Sequence, residues 1–379
     1  MEDITLVVLC AGESSRFKLP IKKQWLRIKD EPLWLNVTKR LSSYVNFNQI
    51  IVVSHKDELN YMKNFDNMFQ YVAGGSTRQG SITNALKHID TKYVMITDVA
   101  RCCVPKKVIK TLIKHKAPKT TVVPVLKATD TIVYKTDTID RNCVKMVQTP
   151  QLSCVKTLKK ALNTKTEFTD ESSAMKNIGA KIVYIDGSTK STKLTFGTEM
   201  ANITCLKKPS KDSFVGFGID THQFEESKPM VLGGVEFDVD YGMKAHSDGD
   251  VVIHSIIDAL LGACGAGDIG EFFPDTDSKY KNVDSKELLK YIVKFVGKVG
   301  YKIINIDLTI LAQQPKISPY KLQIKTTLAE LLDIPQHKIN IKATTSEKMG
   351  FIGRKEGITV HSVAMLKYYD WTKDEYINN

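Results

Sequence analysis

Two short segments, G-F-G-I-D-T-H (residues 216–222) and A-H-S-D-G-D-V-V-I-H (residues 245–254), hold three of the chain's eight histidines. Asp220 and His222 are two apart at the end of an apolar run, residues 214–219. On a strand, residues two apart project from the same face. Asp250, His254 and Asp258 are spaced by four, which on a helix makes one polar stripe along an apolar element. Asp220, His222 and His254 then offer two imidazoles and a carboxylate, a three-ligand set that suits a catalytic zinc with its fourth position open. A closed structural zinc would draw on thiolates, and no cysteine lies between Ser213 and Leu261. Taken singly, each of these residues fits a core histidine or a capping aspartate. Five polar groups within residues 246–254, at a helix start, fit a site better.

A different chemistry is written earlier in the chain. The first apolar run ends in L-C-A-G-E-S-S-R-F, and Lys23-Gln24 follows. A glycine (Gly12) and serines after a strand let backbone N–H groups approach phosphate oxygens. Arg16 and Lys23 can neutralise the charge that builds on a transferring phosphorus. The loop is neither a Walker motif nor a dinucleotide fingerprint. A-G-G-S-T-R-Q-G-S (residues 73–81) is a second glycine-rich loop before a helix, suited to gripping a base or ribose with backbone groups. I-T-D-V-A-R sets Asp98 at the carboxyl end of a strand, a place where a carboxylate can hold magnesium on a triphosphate.

The elements that must position these groups fall into two sets. Residues 4–10, 49–54, 93–97 and 121–125 read as strands, and 32–44, 78–88 and 105–115 as the helices between them. Such alternation implies an α/β domain with a mostly parallel sheet covered on both faces, which binds ligands at the carboxyl ends of its strands. Strand-like residues 131–134 and 143–147 suggest a hairpin excursion. The polar stretch around residues 208–213 is the expected linker, separating a domain of residues 1–207 from one of residues 214–370, with 371–379 as a tail. In the second domain, residues 231–237 read as a hairpin around Gly-Gly. Asp284 with Glu287 reads as a capping box opening a helix that ends at Gly300. Residues 301–312, 339–344 and 357–366 are strands, and Ser318-Pro319 starts another helix. This order implies an α+β domain, a single sheet covered by helices.

At 379 residues, two cores are expected. No apolar run reaches the 18 or so residues of a membrane span, and the opening M-E-D-I-T-L is no signal peptide. Seven cysteines without repeating spacing suggest free thiols in a reducing cytoplasm. The net charge of +12 is concentrated before residue 210, pointing to an anionic partner, either nucleic acid or a phosphorylated small molecule. A nucleic-acid surface would interleave basic clusters with exposed aromatics. These lysines are dispersed and the motifs are rich in glycine and carboxylate, which favours small-molecule substrates, with no nucleic acid and no membrane. From the residues alone, a sugar-phosphate nucleotidyltransferase joined to a metal hydrolase is also open.

The second half resembles 2-C-methyl-D-erythritol 2,4-cyclodiphosphate synthase. Beyond the two histidine segments, the likeness runs through D-I-G-E-F-F-P-D-T-D (residues 268–277), A-Q-Q-P-K (312–316) and K-A-T-T-S-E-K-M-G-F-I-G-R (342–354). It implies zinc on Asp220, His222 and His254, and a magnesium (or manganese) at the diphosphate using Glu347. His246, Ser247 and Asp268 would contact the methylerythritol end, Lys316 the cytosine side, and Thr344 and Thr345 the diphosphate. Asp277, Phe351 and Arg354 complete the implied substrate set.

Residues 1–207 resemble 2-C-methyl-D-erythritol 4-phosphate cytidylyltransferase. The matches are A-G-x-S-x-R with K-Q, the G-G-S…G-S loop, D-x-A-R, Asp130-Thr131, Arg141, T-P-Q at 149–151, T-D-E-S at 169–172 and K-L-T at 193–195. The resemblance implies that Arg16 and Lys23 stabilise the pentacovalent transition state, with Gly12 in the phosphate loop. Gly75 and Ser81 would hold cytosine or ribose, and Asp98 the magnesium–CTP complex. Thr131, Arg141, Thr149 and Lys193 would bind methylerythritol phosphate, partly from a neighbouring subunit. Two departures stand out: D-V-A-R-C-C replaces the usual D-A-A-R-P, and a second loop arginine is missing, so phosphate charge is expected to rest on Arg16 and Lys22. Transferases of this kind dimerise and the synthases form trimers, so a single chain bearing both is expected to assemble as a hexamer.

Overall fold

The computed structural model describes residues 2–245, 247–274, 276, 280 and 283–373. The chain divides into two compact units: the first runs to Lys208 and takes up the chain again from Asp370, and the second is Pro209–Tyr369. The segment after Tyr369 is therefore part of the first unit, where Trp371 is buried and its Nε1 donates to Arg27 O at 2.9 Å.

In the first unit, the strands Glu2–Leu9, Phe47–Ser54, Gln70–Ala73 and Tyr93–Asp98 are parallel neighbours. Gln151–Cys154 then runs antiparallel between Tyr93–Asp98 and Thr120–Lys127. Lys181–Asp186 pairs in parallel with Thr120–Lys127. The helices Leu33–Ser42, Arg78–Leu86 and Lys106–Lys114 stand where the strand–helix alternation puts them. The excursion differs in its pairing. Ile132–Tyr134 pairs with Asp137–Ile139, a segment without a strand pattern, while Lys145–Val147 joins the main sheet. Cys103 and Cys205 form a disulfide, and Cys10, Cys102, Cys143, Cys154 and Cys264 are free thiols, so the expectation of seven free thiols is corrected. The pair is 102 residues apart with Cα atoms at 5.8 Å, a proximity that no sequence spacing announces.

The second unit is built on a sheet ordered Tyr241–Met243, Ser213–Glu226, Gly357–Tyr368, Tyr301–Leu311 and Ile339–Thr344. Met230–Leu232 and Val235–Phe237 form the expected hairpin, with Gly233 and Gly234 both at positive φ. Two glycines in the left-handed region make the tight turn that matches strand twist. Asp284 caps the helix Ser285–Lys298 through Lys286 N, but Glu287 pairs with Lys290 instead of closing a capping box. Ser318–Tyr320 is a 3-10 turn leading into the helix Lys321–Leu332.

The helix Val251–Cys264 is apolar nearly all round and buried, packed on the strand Ser213–Glu226. On that strand, alternate residues face the helix, and the first of them in the contact are Gly216 and Gly218. A Cβ on Gly218 would stand 2.0 Å from Ser255 O, and one on Gly216 2.0 Å from Ala259 O. Helix backbone thus rests on strand backbone. Gly218→Ala should displace the helix and destabilise the second unit by roughly 1–3 kcal/mol, the usual cost of overpacking. Thermal denaturation of the full chain reads this as a lowered melting transition; an unchanged one would contradict the contact.

Candidate functional site

The helix-facing alternation of Ser213–Glu226 continues past the glycines to Asp220 and His222, as the two-residue spacing implies. His254, on the first turn of the helix, meets them. Asp220 Oδ2 lies 3.1 Å from His254 Nδ1 and 3.2 Å from His222 Nδ1, with the two imidazole rings 5.5 Å apart. One ligand atom from each residue falls within 4.8 Å of the others. His222 Nδ1 is buried and makes no hydrogen bond despite its short distance from the carboxylate. Burial alone would raise the Asp220 carboxyl, but the imidazoles beside it outweigh that and hold it down at about 2. A half-buried carboxylate with two imidazoles, one buried nitrogen left without a hydrogen bond, fits a divalent cation. His254 is oriented from the other side, its Nε2 2.9 Å from Ser285 Oγ and 3.3 Å from Ser247 Oγ. Ser285 in turn donates to Asp248. Hydrogen bonds of this kind are what orient an imidazole in a metal site. Beside the group is a cavity of about 340 Å³, lined also by Lys244, Ser247, Asp258 and Tyr280.

The polar stripe is shorter than its spacing implies. Asp250 is fully buried at the helix start, where its oxygens accept from the backbone N–H groups of Val252, Ile253, Gly233 and Gly234. It ties the helix to the hairpin turn and leaves His254 and Asp258 to face the cavity. Asp258 Oδ1 accepts from Ile269 N at 2.8 Å, and Asp268 caps the short helix Ile269–Phe272. His246 and Asp277 lie outside the described residues. Lys316, Thr344, Thr345, Glu347, Phe351 and Arg354 are exposed and do not line this cavity. Thr345 Oγ1 donates to Glu347 Oε1 at 2.9 Å, and Arg354 pairs with Glu356 at 2.8 Å.

In the first unit, a cavity of about 530 Å³ opens over the carboxyl ends of Glu2–Leu9 and Tyr93–Asp98. Gly12, Arg16, Lys23, Gly75, Ser81, Asp98 and Lys193 all line it. Ser81 Oγ accepts from Gly75 N at 3.1 Å, closing the second glycine loop against its own helix. Gly75 has no room for a side chain, since a Cβ would stand 2.8 Å from Gly80 C. Asp98 is the hub. Its Oδ1 accepts from Arg78 Nε at 3.0 Å, its Oδ2 from Lys193 Nζ at 2.6 Å, and its backbone N–H donates to Thr149 Oγ1 at 3.2 Å. Burial would raise this carboxyl, but the two cations hold it down at about 2. Arg78 also bridges to the buried Glu171 at 3.0 Å. Arg78 and Glu171 stand inside two of the segments quoted above, but no spacing gave either one a role.

A second cavity of about 400 Å³ shares Arg78, Asp98 and Lys193 with the first and adds Arg101 and Thr149. Thr131 and Arg141 are exposed on the excursion and line neither cavity; Arg141 donates to Thr129 O at 2.7 Å. Lys22 is not the extra phosphate cation expected. It is 3% exposed and paired with Glu58 and Glu13, because the turn that presents Lys23 points Lys22 inward.

These two geometries define a metal-dependent phosphate-handling enzyme joined to a nucleotidyltransferase. The model of the 2-C-methyl-D-erythritol 4-phosphate cytidylyltransferase family matches residues 4–206, and that of the YgbB family matches residues 213–367. The chain is 62% identical to a bifunctional enzyme IspD/IspF of Aliarcobacter butzleri over 98% of its own length and all of that relative. It is 49% identical to one of Sulfurovum over 98% of its own length and 99% of the relative. The solved structure of the bifunctional IspDF from Campylobacter jejuni superposes with a TM-score of 0.86 at 45% identity, covering 98% of this chain and all of that one. The chain belongs to the bifunctional IspD/IspF family. It carries a cytidylyltransferase and a cyclodiphosphate synthase of isoprenoid biosynthesis.

Lys23 has its proton affinity lowered by burial and then by the neighbouring charges of Lys193 and Arg16. The ammonium is therefore lost at a lower pH than an ordinary lysine's 10.5. The kcat/KM for CTP should fall along an alkaline limb that begins below that value, and Lys23→Arg should remove the limb. A limb unchanged by Lys23→Arg would assign it to another group.

Proposed function

We propose that the first unit transfers CMP from CTP to 2-C-methyl-D-erythritol 4-phosphate in the Asp98 cavities, and that the chain's own residues act as follows. The acceptor phosphate oxygen attacks the α-phosphorus of CTP, and diphosphate leaves. Arg16 and Lys23 stabilise the charge on the five-coordinate phosphorus, while the Gly12 loop cradles the triphosphate. Gly75 and Ser81 hold the cytosine or ribose. Lys193 and Thr149 grip the acceptor on the far side of Asp98, and Thr131 and Arg141 reach a neighbouring subunit's acceptor from the exposed excursion. A carboxylate has about four acceptor sites, so Asp98 keeps capacity for a magnesium carried in by CTP, which offsets triphosphate charge. The observation that carries this reading is that Arg16, Lys23 and Lys193 line one cavity with Asp98, whose carboxyl is held ionised.

The second unit cyclises 4-diphosphocytidyl-2-C-methyl-D-erythritol 2-phosphate: the 2-phosphate attacks the β-phosphorus and CMP leaves. Positioning and charge neutralisation supply most of the rate in such transfers. Zinc held by Asp220, His222 and His254 would polarise a phosphate oxygen and steady the nucleophile. A magnesium or manganese at the diphosphate would use Glu347. His246, Ser247 and Asp268 would contact the methylerythritol end, Lys316 the cytosine side, and Thr344 and Thr345 the diphosphate, with Asp277, Phe351 and Arg354 completing the substrate set. We place both activities in the cytoplasm, with their charged small-molecule substrates. Among the described residues no helix is long and apolar enough to cross a membrane.

The two activities should separate by mutation. Lys23→Ala should slow cytidylyl transfer more than tenfold, a loss of at least ~1.4 kcal/mol, while CMP release by the synthase is unchanged. His254→Ala should lower bound zinc and abolish cyclisation while transfer continues. A Lys23→Ala enzyme at full transfer rate, or stoichiometric zinc in both His222→Ala and His254→Ala, would refute the corresponding assignment.

The proposed assembly is supported by what one chain leaves exposed. Val215, Phe217 and Ile219 are 61, 57 and 49% exposed on the sheet face opposite the helix, and Val133 and Tyr134 are 61 and 64% exposed on the excursion. Apolar surface of this kind marks interfaces. Three-fold contacts at the first patch and two-fold contacts at the second close as a hexamer of dihedral symmetry. Light scattering across a dilution series should give six times 42.5 kDa. A stable monomer with full cyclase activity would rule out the shared synthase site.

A further inference from the structure

The turn that carries Lys23 is anchored by a carboxylate to which no motif points. Glu58 ends the 3-10 turn Lys56–Glu58 and is 3% exposed. Its Oε2 accepts from Trp25 Nε1 at 2.6 Å and from Gln24 Nε2 at 3.2 Å, and its Oε1 is 2.5 Å from Lys22 Nζ. Three of the four residues 22–25 therefore converge on one buried group. Gln24 has a second amide hydrogen, which it gives to Gly12 O at 3.2 Å, so the same anchor extends to the phosphate loop. Lys23 N donates to Ser14 Oγ at 3.0 Å and locks the two segments together. Trp25 is packed against Trp34, Tyr61 and Phe65, and Tyr61 lies three residues past Glu58. In a turn of three residues, side chains at i and i+3 eclipse. Lys22 and Trp25 thus share the buried side, and Lys23 is left to project into the cavity, where its Nζ rests 3.2 Å from Leu194 O.

We propose that Glu58 is a positioning residue for cytidylyl transfer: by holding Lys22, Gln24 and Trp25 it fixes the direction of Lys23 and the height of the Gly12 loop. It touches no substrate and acts through Lys23, so the proposal rests on the role given to that lysine above. A tightly held turn keeps the ammonium at the transferring phosphorus without reorganisation during the reaction.

A double-mutant cycle on the full chain tests this, with kcat and KM for CTP measured for Glu58→Gln, Lys23→Ala and the pair. Synthase CMP release and the melting transition serve as controls for folding. Glu58→Gln should lower transfer kcat about tenfold with KM for CTP changed less than threefold. In the Lys23→Ala background the same substitution should cost less than threefold more, because the group it positions is gone. If Lys22, left with Glu13 as its ion-pair partner, prevents Glu58→Gln from folding, Lys22→Met/Glu58→Met removes both buried charges together and takes its place in the cycle. A full transfer kcat in the folded Glu58 variant, or a loss fully additive with Lys23→Ala, overturns the proposal. Lys23→Ala at full rate is a separate outcome: it refutes the Lys23 assignment and this proposal with it.

Discussion

Direct contact between a helix backbone and a strand backbone governs the second unit. Gly216 and Gly218 let Val251–Cys264 settle onto Ser213–Glu226 at a separation no side chain would permit. That separation places His254 within 3.1 Å of Asp220. The Asp220–His222–His254 cluster is thus a consequence of how close two apolar elements can come. Asp250 sets the helix's starting point, spending its whole carboxylate on four backbone N–H groups of the helix and the hairpin turn. The first unit uses the same device at Gly75, where the loop closes on the helix Arg78–Leu86 and frames the larger cavity.

Electrostatics divides the labour differently in the two units. In the first, cations outnumber carboxylates around the cavity, and Asp98 is kept ionised by Arg78 and Lys193, while Lys23 Nζ donates to Leu194 O and makes no ion pair among the described residues. An anionic substrate entering there supplies the missing charge. In the second, a carboxylate lies between two imidazoles, and His222 Nδ1 is buried without a hydrogen bond, a donor set that fits a cation. Phosphate transfer can use both arrangements, cations for phosphate oxygens and a donor set suited to a divalent metal.

Neither unit gathers every residue of its family's motifs around its own cavity. Thr131 and Arg141 stand out on the excursion, and Lys316, Glu347 and Arg354 are exposed away from the metal group. The apolar surfaces around Tyr134 and Phe217 are the ones that the proposed hexamer would use for subunit contacts. In that reading the exposed motif residues and the exposed apolar patches have one explanation.

Much of this was legible in the residues themselves. Periodicity and turn residues placed the alternating strands and helices of the first unit, the Gly-Gly hairpin, and Asp220 and His222 on one face, because local backbone geometry sets which side chains share a face. The motifs likewise marked Gly12, Lys23, Gly75, Ser81, Asp98 and Lys193, which meet in one cavity. Spacing misled where a side chain had a nearer partner. Asp250 follows the stripe in sequence but turns to backbone donors, Glu287 pairs with Lys290, and Lys22 is drawn inward by Glu58. Only the tertiary structure decided the Cys103–Cys205 bond, the Arg78–Glu171 bridge, the Ser285 contact to His254 and the Glu58 anchor. Each joins residues from separate elements, and sequence carries no record of such distances until the sheets and helices have packed.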